Sequence, residues 1–361
     1  MNTIQDVIII GAGAAGIGVS VILQKLGIDH MLIDKEGIGA SFKKWPEEMR
    51  FISPSFTGNA FGNVDLNAIT PNSSPAHILG TEHPSGKAYA TYLEHVAKEE
   101  GIPKVQTHTV HAVTKEDDIF TIHTDSQTLY AKYIVWAAGE FQYPQKEQFP
   151  GDYLCLHNSK VSSWKDINTK EIVVIGGYES GIDAAIHLAK QSTKVTIIDS
   201  GNQLNNTHSD SSFSVSPYTK DRFKTCKENI TIITNTKVTK VEQEDTSYII
   251  SLSDNTTIQT QLQPILATGF ATSLSLIEEL FSNLDTHNFL TQEDESTKTK
   301  GLFLAGPQVR HQDLVFCFVY KYRQRFPIVA KSIAKRLNIS EATIQKVLQV
   351  YEEKGMVYTI H

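Results

Sequence analysis

Two stretches of the chain share one pattern: VIIIGAGAAGIGVSVILQKLGIDHMLID at residues 7–34 and IVVIGGYESGIDAAIHLAKQSTKVTIID at residues 172–199. They align without a gap, and 8 of the 28 positions are identical. The identical positions include Gly11, Gly16 and the final residue, Asp34. Self-similarity in this order indicates an internal repeat, and this repeat decides the fold.

Each repeat runs from β-branched residues through a glycine-rich loop and a helical pattern to a second apolar run. This pattern predicts a β-α-β unit with strands in a parallel sheet. In the first loop Gly11, Gly13 and Gly16 have the spacing GxGxxG, which allows a tight turn and the close approach of a pyrophosphate. Asp34 ends the second strand, where a carboxylate can bind ribose hydroxyls. The first repeat is therefore predicted to bind a dinucleotide at the N-terminus of its helix.

Composition excludes several classes of protein. The 361 residues are enough for two domains, and 40% hydrophobic and 20% charged residues are typical of a folded chain. A formal net charge of −7 gives no electrostatic reason to bind nucleic acid or an anionic membrane. No stretch approaches the roughly 20 apolar residues of a membrane helix, and no signal peptide follows Met1. We expect a cytoplasmic protein with a small-molecule substrate, no nucleic acid partner and no membrane insertion.

The cysteines and histidines give no metal signature. Cys155, Cys226 and Cys317 are far apart and form no CxxC pair, which indicates reduced thiols rather than a disulfide scaffold or a zinc site. His108 and His111 lie three residues apart on a predicted strand and would point to opposite faces. No metal site is expected.

Two dinucleotide-binding repeats in one chain of this size resemble the two-domain flavoproteins of the thioredoxin-reductase and flavin-containing-monooxygenase type. Three further stretches carry the resemblance. YIVWAAGEFQYP at 133–144 and ILATGF at 265–270 are similar to the ATG motif of these families, and GLFLAGP at 301–307 is similar to their late flavin-binding strand.

This resemblance implies an α/β fold class with two Rossmann-like, three-layer domains. It places FAD in a discontinuous first domain, residues 1–150 and 286–361, and NAD(P) in a second domain, residues 151–285. The resemblance also implies that the loop after Asp34 contacts the flavin, and that the strand at Val110 offers its backbone to the adenine. The residues expected to bind FAD are Gly11, Gly13, Ala14, Ala15, Gly16, Asp34, Lys35, Ser41, Phe42, Trp45, Val110, Ala138, Gly139, Gly306, Pro307 and Gln308.

The second loop departs from these families because Tyr178 stands at the middle glycine position. A tyrosine resists positive φ and adds bulk there, so a degenerate repeat kept for packing remains the alternative to nucleotide binding. Asp199 would repel a 2′-phosphate, and no basic residue follows it in Ser200-Gly201-Asn202-Gln203, which favours NADH over NADPH. The residues expected to bind NAD(P) are Gly176, Gly177, Tyr178, Glu179, Ser180, Gly181, Asp199, Ser200 and Gly269.

Neither family is matched in full. Phe149 and Gly151 fit the monooxygenase fingerprint, but Cys155 stands at its histidine position, and we interpret the nearby His157 as a linker residue. The CxxC of thioredoxin reductases is absent. Ala14-Ala15 lacks the cysteine that some bacillithiol-disulfide reductases carry beside the flavin.

The resemblance implies an FAD-dependent, NAD(P)H-oxidising oxidoreductase. The first expectation is a monooxygenase that oxygenates a small soft nucleophile through a flavin C4a-hydroperoxide, with no catalytic side chain identified. One alternative is a reductase that passes electrons to a quinone, a metal or a thiol. Another is a non-catalytic FAD redox sensor or transport accessory protein. Residues 338–357 predict a helix capped by Ser340 and ended by Gly355, which we interpret as a docking or homodimer-packing element.

Overall fold

A computed structural model describes residues 3–57, 62–284 and 288–360. Its β-strands are β1 Ile4–Ile10, β2 His30–Asp34, β3 Gln106–Thr107, β4 Val110–Glu116, β5 Ile119–Thr124, β6 Thr128–Trp136, β7 Leu156–His157, β8 Glu171–Ile175, β9 Lys194–Ile198, β10 Ile230–Ile233, β11 Val238–Glu244, β12 Ser247–Leu252, β13 Thr257–Thr260, β14 Ile265–Leu266, β15 Leu302–Leu304, β16 Arg310–His311 and β17 Leu314–Val315. Its α-helices are α1 Ala14–Lys25, α2 Ala40–Lys43, α3 Pro75–Leu79, α4 Gly86–Glu99, α5 Glu179–Ala189, α6 Pro217–Lys224, α7 Val319–Tyr322, α8 Phe326–Arg336 and α9 Glu341–Glu353. Within these described ranges, no helix is both long enough and apolar enough to span a bilayer.

The chain divides into two compact units. Unit 1 comprises residues 1–43, 53–140 and 272–361, and unit 2 comprises residues 44–52 and 141–271. These divisions differ from the predicted junctions after residues 150 and 285, and residues 285–287 lie outside the described part of the chain.

Backbone pairing accounts for the earlier division at residue 140. The amide of Ala271 donates to the carbonyl of Tyr143 at 2.7 Å, and the amide of Gln145 donates to the carbonyl of Gly269 at 3.1 Å. The stretch after residue 140 therefore pairs with the end of unit 2. Which unit binds which cofactor stays a prediction.

Unit 1 has one main sheet, with strands in the order β3-β2-β1-β6-β5-β4 and β15 paired to β6. β1, β2, β6 and β15 are parallel, whereas β5 pairs antiparallel with both β6 and β4. Val7, Ile8 and Ile9 of β1 are fully buried, as expected for a parallel strand covered on both faces. Helix α1 follows β1 and returns the chain to β2, which confirms the predicted β-α-β unit.

Helix packing in unit 1 depends on a glycine in the middle of α1. A Cβ built at Gly18 would lie 2.1 Å from the ring of Phe326, so the absence of a side chain lets α8 approach α1 closely. The C-terminal segment thereby completes the unit that the N-terminal repeat begins. Helix α9 is capped as predicted, because Ser340 Oγ accepts from the amide of Thr343 at 3.2 Å.

Unit 2 repeats the design. β8, α5 and β9 form its β-α-β unit, in a parallel sheet ordered β10-β9-β8-β14-β7. β11, β12 and β13 form a separate antiparallel sheet. Residues 44–52 join this unit through Glu48, whose carboxylate accepts from Ser163 Oγ at 2.6 Å and from the Trp164 amide at 3.0 Å.

A buried ionic cluster ties the late part of unit 1 together. Asp294 is fully buried and accepts from Nε and Nη2 of Arg325, at 2.9 and 3.0 Å. His311 Nε2 lies 2.6 Å from the same carboxylate, and Arg325 also donates to the carbonyl of Gln292 at 2.5 Å. The cluster joins β16 and α8 to the segment before β15.

We expect Asp294→Asn to lower the free energy of unfolding by about 3 kcal/mol, because it leaves the buried Arg325 without its counter-charge. Asparagine also tolerates the positive φ of 62° at this residue, so the change isolates the charge. The control is Asp6→Asn, which removes the more exposed pair with Lys132 and should cost less than about 1 kcal/mol. Urea unfolding of both variants measures the difference, and equal losses would contradict the role of the cluster.

Candidate functional site

The first glycine loop is fixed by two close backbone approaches. Gly11 has φ +111°, and a Cβ there would lie 2.3 Å from the carbonyl oxygen of Ala137. A Cβ at Gly16 would lie 1.8 Å from the carbonyl oxygen of Gly11. Both positions must therefore be glycine for β1, the loop and α1 to pack as they do.

Gly13 is different, because nothing in the fold requires a glycine there. Its φ is −82°, which any residue adopts, and no atom lies within 4 Å of a Cβ built at this position. It is the N-cap of α1, without a side-chain cap and without an acidic residue in the first turn of the helix. The free space and the unsatisfied N–H groups of the helix N-terminus fit the pyrophosphate of a dinucleotide.

Asp34 orders the loop beside this space. One carboxylate oxygen accepts from the amide of Ala12 at 2.8 Å, and the other accepts from the amides of Glu36 and Gly37, both at 2.8 Å. A carboxylate has about four acceptor sites, so one remains for a ribose hydroxyl. The side chain of Lys35 is exposed.

The late segment of unit 1 reaches the start of α1. Gly306 has φ +112°, and a Cβ there would lie 3.3 Å from that of Ala15. Ala14 and Ala15 are both buried. Gly139, after β6, has φ +65° and open space beside it. These residues, predicted from separate parts of the sequence, thus belong to one unit, and Gly306 lies beside the first turn of α1.

Gln308 uses its side chain within the protein. Its Oε1 accepts from Ser273 Oγ at 2.8 Å, and its Nε2 donates to Thr272 Oγ1 at 2.8 Å. Ser273 Oγ in turn accepts from the indole nitrogen of Trp136 at 3.0 Å. The side chain of Gln308 is thus bonded within the protein. Its neighbour Pro307 is half-buried, and the Pro307 carbonyl accepts from Arg310 Nη1 at 2.5 Å. Sequence reasoning missed this network because its members are scattered along the chain.

The residues predicted to contact the flavin ring are divided between the units. Ser41 and Phe42 lie in α2 of unit 1, where the ring of Phe42 packs edge-on against Tyr89 at 4.9 Å. Trp45 belongs to unit 2 and packs against Phe51 at 5.0 Å. Val110 begins β4 and pairs with Thr124.

The second glycine loop has the same close approaches as the first. A Cβ at Gly176 would lie 2.3 Å from the carbonyl oxygen of Ala267, and one at Gly181 would lie 1.8 Å from that of Gly176. A Cβ at Gly177 would lie 2.4 Å from the side chain of Asp199. The first and third positions of both loops must therefore be glycine for the same steric reason.

The expectation that a positive φ at this position would strain Tyr178 was wrong, because the φ of Tyr178 is negative. Its φ and ψ are −101° and −166°, close to the −82° and −168° of Gly13. The hydroxyl donates to the carbonyls of Ser211 and Ser214, at 2.7 and 3.2 Å. The tyrosine is thus unstrained, and its side chain is bonded to the segment that follows β9.

Glu179 and Asp199 are also occupied by protein groups. Glu179 accepts from the amide of Ser216 and from Thr219 Oγ1, the latter at 2.7 Å, and burial raises its pKa. Asp199 is only 4% exposed and accepts from the amides of Gly201 and Gln203, at 3.0 and 2.9 Å. Ser180 is half-buried and Ser200 exposed.

His157 does more than link two segments. Its Nε2 lies 3.0 Å from the carbonyl oxygen of Gly269, and its Nδ1 accepts from the amide of Ser159 at 3.2 Å. Since a carbonyl only accepts, the ring must carry its proton on Nε2. Burial lowers the pKa of His157, which favours this neutral form. His157 therefore holds the ILATGF segment in place.

Two of the three thiols are unsuited to redox exchange. Cys155 and Cys226 are buried and free. Burial raises the pKa of Cys155 to about 12 and also raises the pKa of Cys226, so neither forms a thiolate near neutral pH. Cys317 is half-buried, and in the described part of the chain it is not in a disulfide.

A model of one protein family matches most of the chain. The family is described as pyridine nucleotide-disulphide oxidoreductase, and the match covers residues 8–306, which include both glycine loops and the late GLFLAGP segment up to Gly306.

Individual relatives cover almost the whole chain. Bacilliredoxin reductase Bdr of Bacillus subtilis is 26% identical over 339 residues, 92% of this chain and 99% of that protein. Bacillithiol disulfide reductase Bdr of Staphylococcus aureus has a similar fold, with a TM-score of 0.74 and 19% identity over 93% of this chain and 99% of that one. A flavin-containing monooxygenase of Stenotrophomonas maltophilia gives 0.68 and 14%, covering 93% and 100% of the two chains. The resemblance seen in the sequence is confirmed.

Gly13→Leu should abolish flavin retention while leaving the protein folded. The new side chain enters the space above the helix N-terminus, and an overpacked pyrophosphate site loses at least about tenfold in affinity. Absorbance at the flavin bands measures bound FAD, and far-UV circular dichroism measures folding. The matched control, Gly11→Ala, should impair folding itself because its Cβ meets Ala137. A folded Gly13→Leu protein with full flavin content would show that the loop does not hold the pyrophosphate.

Proposed function

For this chain, which belongs to the pyridine nucleotide-disulphide oxidoreductase family, we propose that the flavin passes electrons directly to a small acceptor, without a thiol of the protein as intermediate. The protein is an FAD-dependent oxidoreductase that uses a pyridine nucleotide. In this proposal unit 1 holds FAD and unit 2 holds NADH. FAD, when bound, supplies the group that accepts hydride and returns electrons.

The chain's own residues have binding and orienting roles in this scheme. The N–H groups at the start of α1 would hold the FAD pyrophosphate, where the helix dipole favours negative charge. Asp34 would accept from a ribose hydroxyl of the adenosine. The backbone at Gly306, beside Ala15, would border the part of FAD between the phosphates and the flavin ring. None of these groups transfers protons, so the protein's part is to position the cofactor and to limit access of water.

The state of the thiols is the observation that carries the proposal. Alanines occupy positions 14 and 15, where the resemblance to some disulfide reductases implies a cysteine beside the flavin. Cys155 and Cys226 are buried, with raised pKa values. A dithiol relay needs a thiolate within reach of both flavin and substrate. Direct transfer from the flavin needs none.

Oxygen is the acceptor in the second candidate function, the monooxygenase. The fold-level likeness to a flavin-containing monooxygenase and the burial of Cys155 and Cys226 both favour it. The fingerprint residues, however, have structural roles in unit 2. Gly151 has φ +85°, and a Cβ there would lie 1.8 Å from the carbonyl oxygen of Val241. Phe149 packs on the buried side chains between β8 and the β11-β12-β13 sheet. These two residues therefore favour neither candidate.

Thiol-free transfer predicts that Cys317→Ala keeps NADH-dependent reduction of a benzoquinone within about threefold of the wild-type rate. Cys317 is chosen because it is less buried than the other two cysteines and so is the best placed for exchange. The control treats the wild-type holoenzyme with iodoacetamide, which should also leave the rate unchanged. Loss of activity in both experiments would favour a thiol relay. Oxygen consumption without quinone, with an oxygenated amine or sulfide rather than free peroxide as product, would favour the monooxygenase.

NADH should reduce the flavin with at least about tenfold higher efficiency than NADPH, because a 2′-phosphate near Asp199 places like charges together. Ser200→Arg puts a cation on an exposed residue next to this acid and should narrow the preference. Thr257→Arg adds the same charge elsewhere in unit 2, at another exposed residue, and should not. Stopped-flow bleaching of the flavin with each cofactor measures the ratio. An NADPH preference in the wild type would show that Asp199 does not face the ribose.

A further inference from the structure

The middle positions of the two glycine loops point into equivalent space. Gly13 and Tyr178 are both N-caps, and their φ and ψ angles differ by less than 20°. Since the backbone sets the direction of a Cβ, the side chain of Tyr178 leaves the loop toward the region of unit 2 that corresponds to the empty space above Gly13. In unit 1 that space fits a pyrophosphate. In unit 2 a tyrosine side chain starts from the equivalent position.

The ring does not end in solvent. Its hydroxyl donates to two backbone carbonyls, those of Ser211 and Ser214, and the ring packs against the buried apolar side chains around α5. We call residues 206–216 the strap. Tyr178 is one of the points at which the strap is fixed over the start of α5.

Glu179 supplies a second fixing point one residue later. Its carboxylate accepts from the amide of Ser216, at the end of the strap, and from Thr219 Oγ1 in the first turn of α6. A carboxylate at the N-terminus of α5 is favoured by the helix dipole, as a pyrophosphate would be. The strap and its two anchors therefore lie at the same end of the helix that a dinucleotide would use.

The strap is folded on itself. Asn206 Nδ2 donates to the carbonyl of Phe213 at 2.7 Å, and Ser214 Oγ donates to the carbonyl of His208 at 2.7 Å. The rings of His208 and Phe213 meet edge-on at 5.0 Å. Lys220 Nζ, from α6, donates to the carbonyl of Asn206 at 2.8 Å. These bonds hold the strap together and join it to α6.

We propose that Tyr178 and the strap occupy the pyrophosphate position of unit 2, and that a nicotinamide dinucleotide binds only when they are displaced. The inference rests on the proposed function, in which unit 2 binds this cofactor. It makes Tyr178 an autoinhibitory residue rather than a sign of a degenerate repeat. A site that is closed most of the time binds with an affinity reduced by the fraction that is open.

The test compares Tyr178→Phe with the wild type, both loaded with FAD. The variant keeps the ring and loses the two hydrogen bonds to the strap, so it should bind NAD⁺ about tenfold more tightly by calorimetry. NAD⁺ is the probe because it does not reduce the oxidised flavin. Tyr153→Phe is the matched control, because Tyr153 lies in the same unit and is 82% exposed. Its affinity for NAD⁺ should equal that of the wild type.

Amide hydrogen exchange of residues 206–216 gives a second readout that does not depend on turnover. Exchange should be faster in Tyr178→Phe than in the wild type, and NAD⁺ should accelerate it in the wild type as the strap is displaced. If NAD⁺ binds the wild type with strap exchange unchanged or slowed, the inference is wrong and the proposed function stands. If NAD⁺ binds neither protein while FAD remains bound, the proposed function of unit 2 fails, and the inference fails with it.

Discussion

The contact between the third glycine of each loop and the carbonyl of the first is the constraint on which the rest of the structure depends. A Cβ at Gly16 or at Gly181 would lie 1.8 Å from the carbonyl oxygen five residues earlier. The first glycines, Gly11 and Gly176, are constrained in turn by the backbone of Ala137 and Ala267. These approaches let a helix start directly after a buried strand. They also fix the helix N-terminus, with its unsatisfied N–H groups, at the carboxyl edge of the sheet, where ligands bind in such folds.

The middle position of each loop is free of this constraint, and the two loops carry different residues there, Gly13 and Tyr178. Gly13 has an ordinary φ and open space, so the fold does not require its lack of a side chain. Tyr178 has nearly the same backbone conformation and uses the freedom to bond a neighbouring segment. The same backbone conformation thus leaves open space at the first loop and carries a bonded tyrosine side chain at the second. If Tyr178 and the strap block the nucleotide site of unit 2, as proposed, only this site would have to open for each new dinucleotide.

The acidic residues at the ends of the second strands also have similar roles in the two units. Asp34 and Asp199 both accept from nearby backbone amides and so shape their loops. Asp34 is half-buried, whereas Asp199 is only 4% exposed. Cys155 and Cys226, both in unit 2, are buried with raised pKa values, so neither forms a thiolate near neutral pH. In the proposed function the cofactors supply the chemistry, and the protein positions them.

The sequence by itself determined the two β-α-β units, the glycines that each needs, the acid after each second strand and the cap of the last helix. These features are local, because strand and helix periods and glycine geometry are set within about thirty residues. Tertiary structure alone decided that Trp45 belongs to unit 2, that Glu48 joins it through Ser163 and Trp164, and that Asp294 neutralises Arg325. It also decided that Tyr178 is unstrained and bonded to Ser211 and Ser214, where its residue type had suggested strain. Each of these contacts joins segments that are distant in the sequence. The sequence pattern does not show where such a side chain points, because its direction depends on how the backbone of both segments is placed.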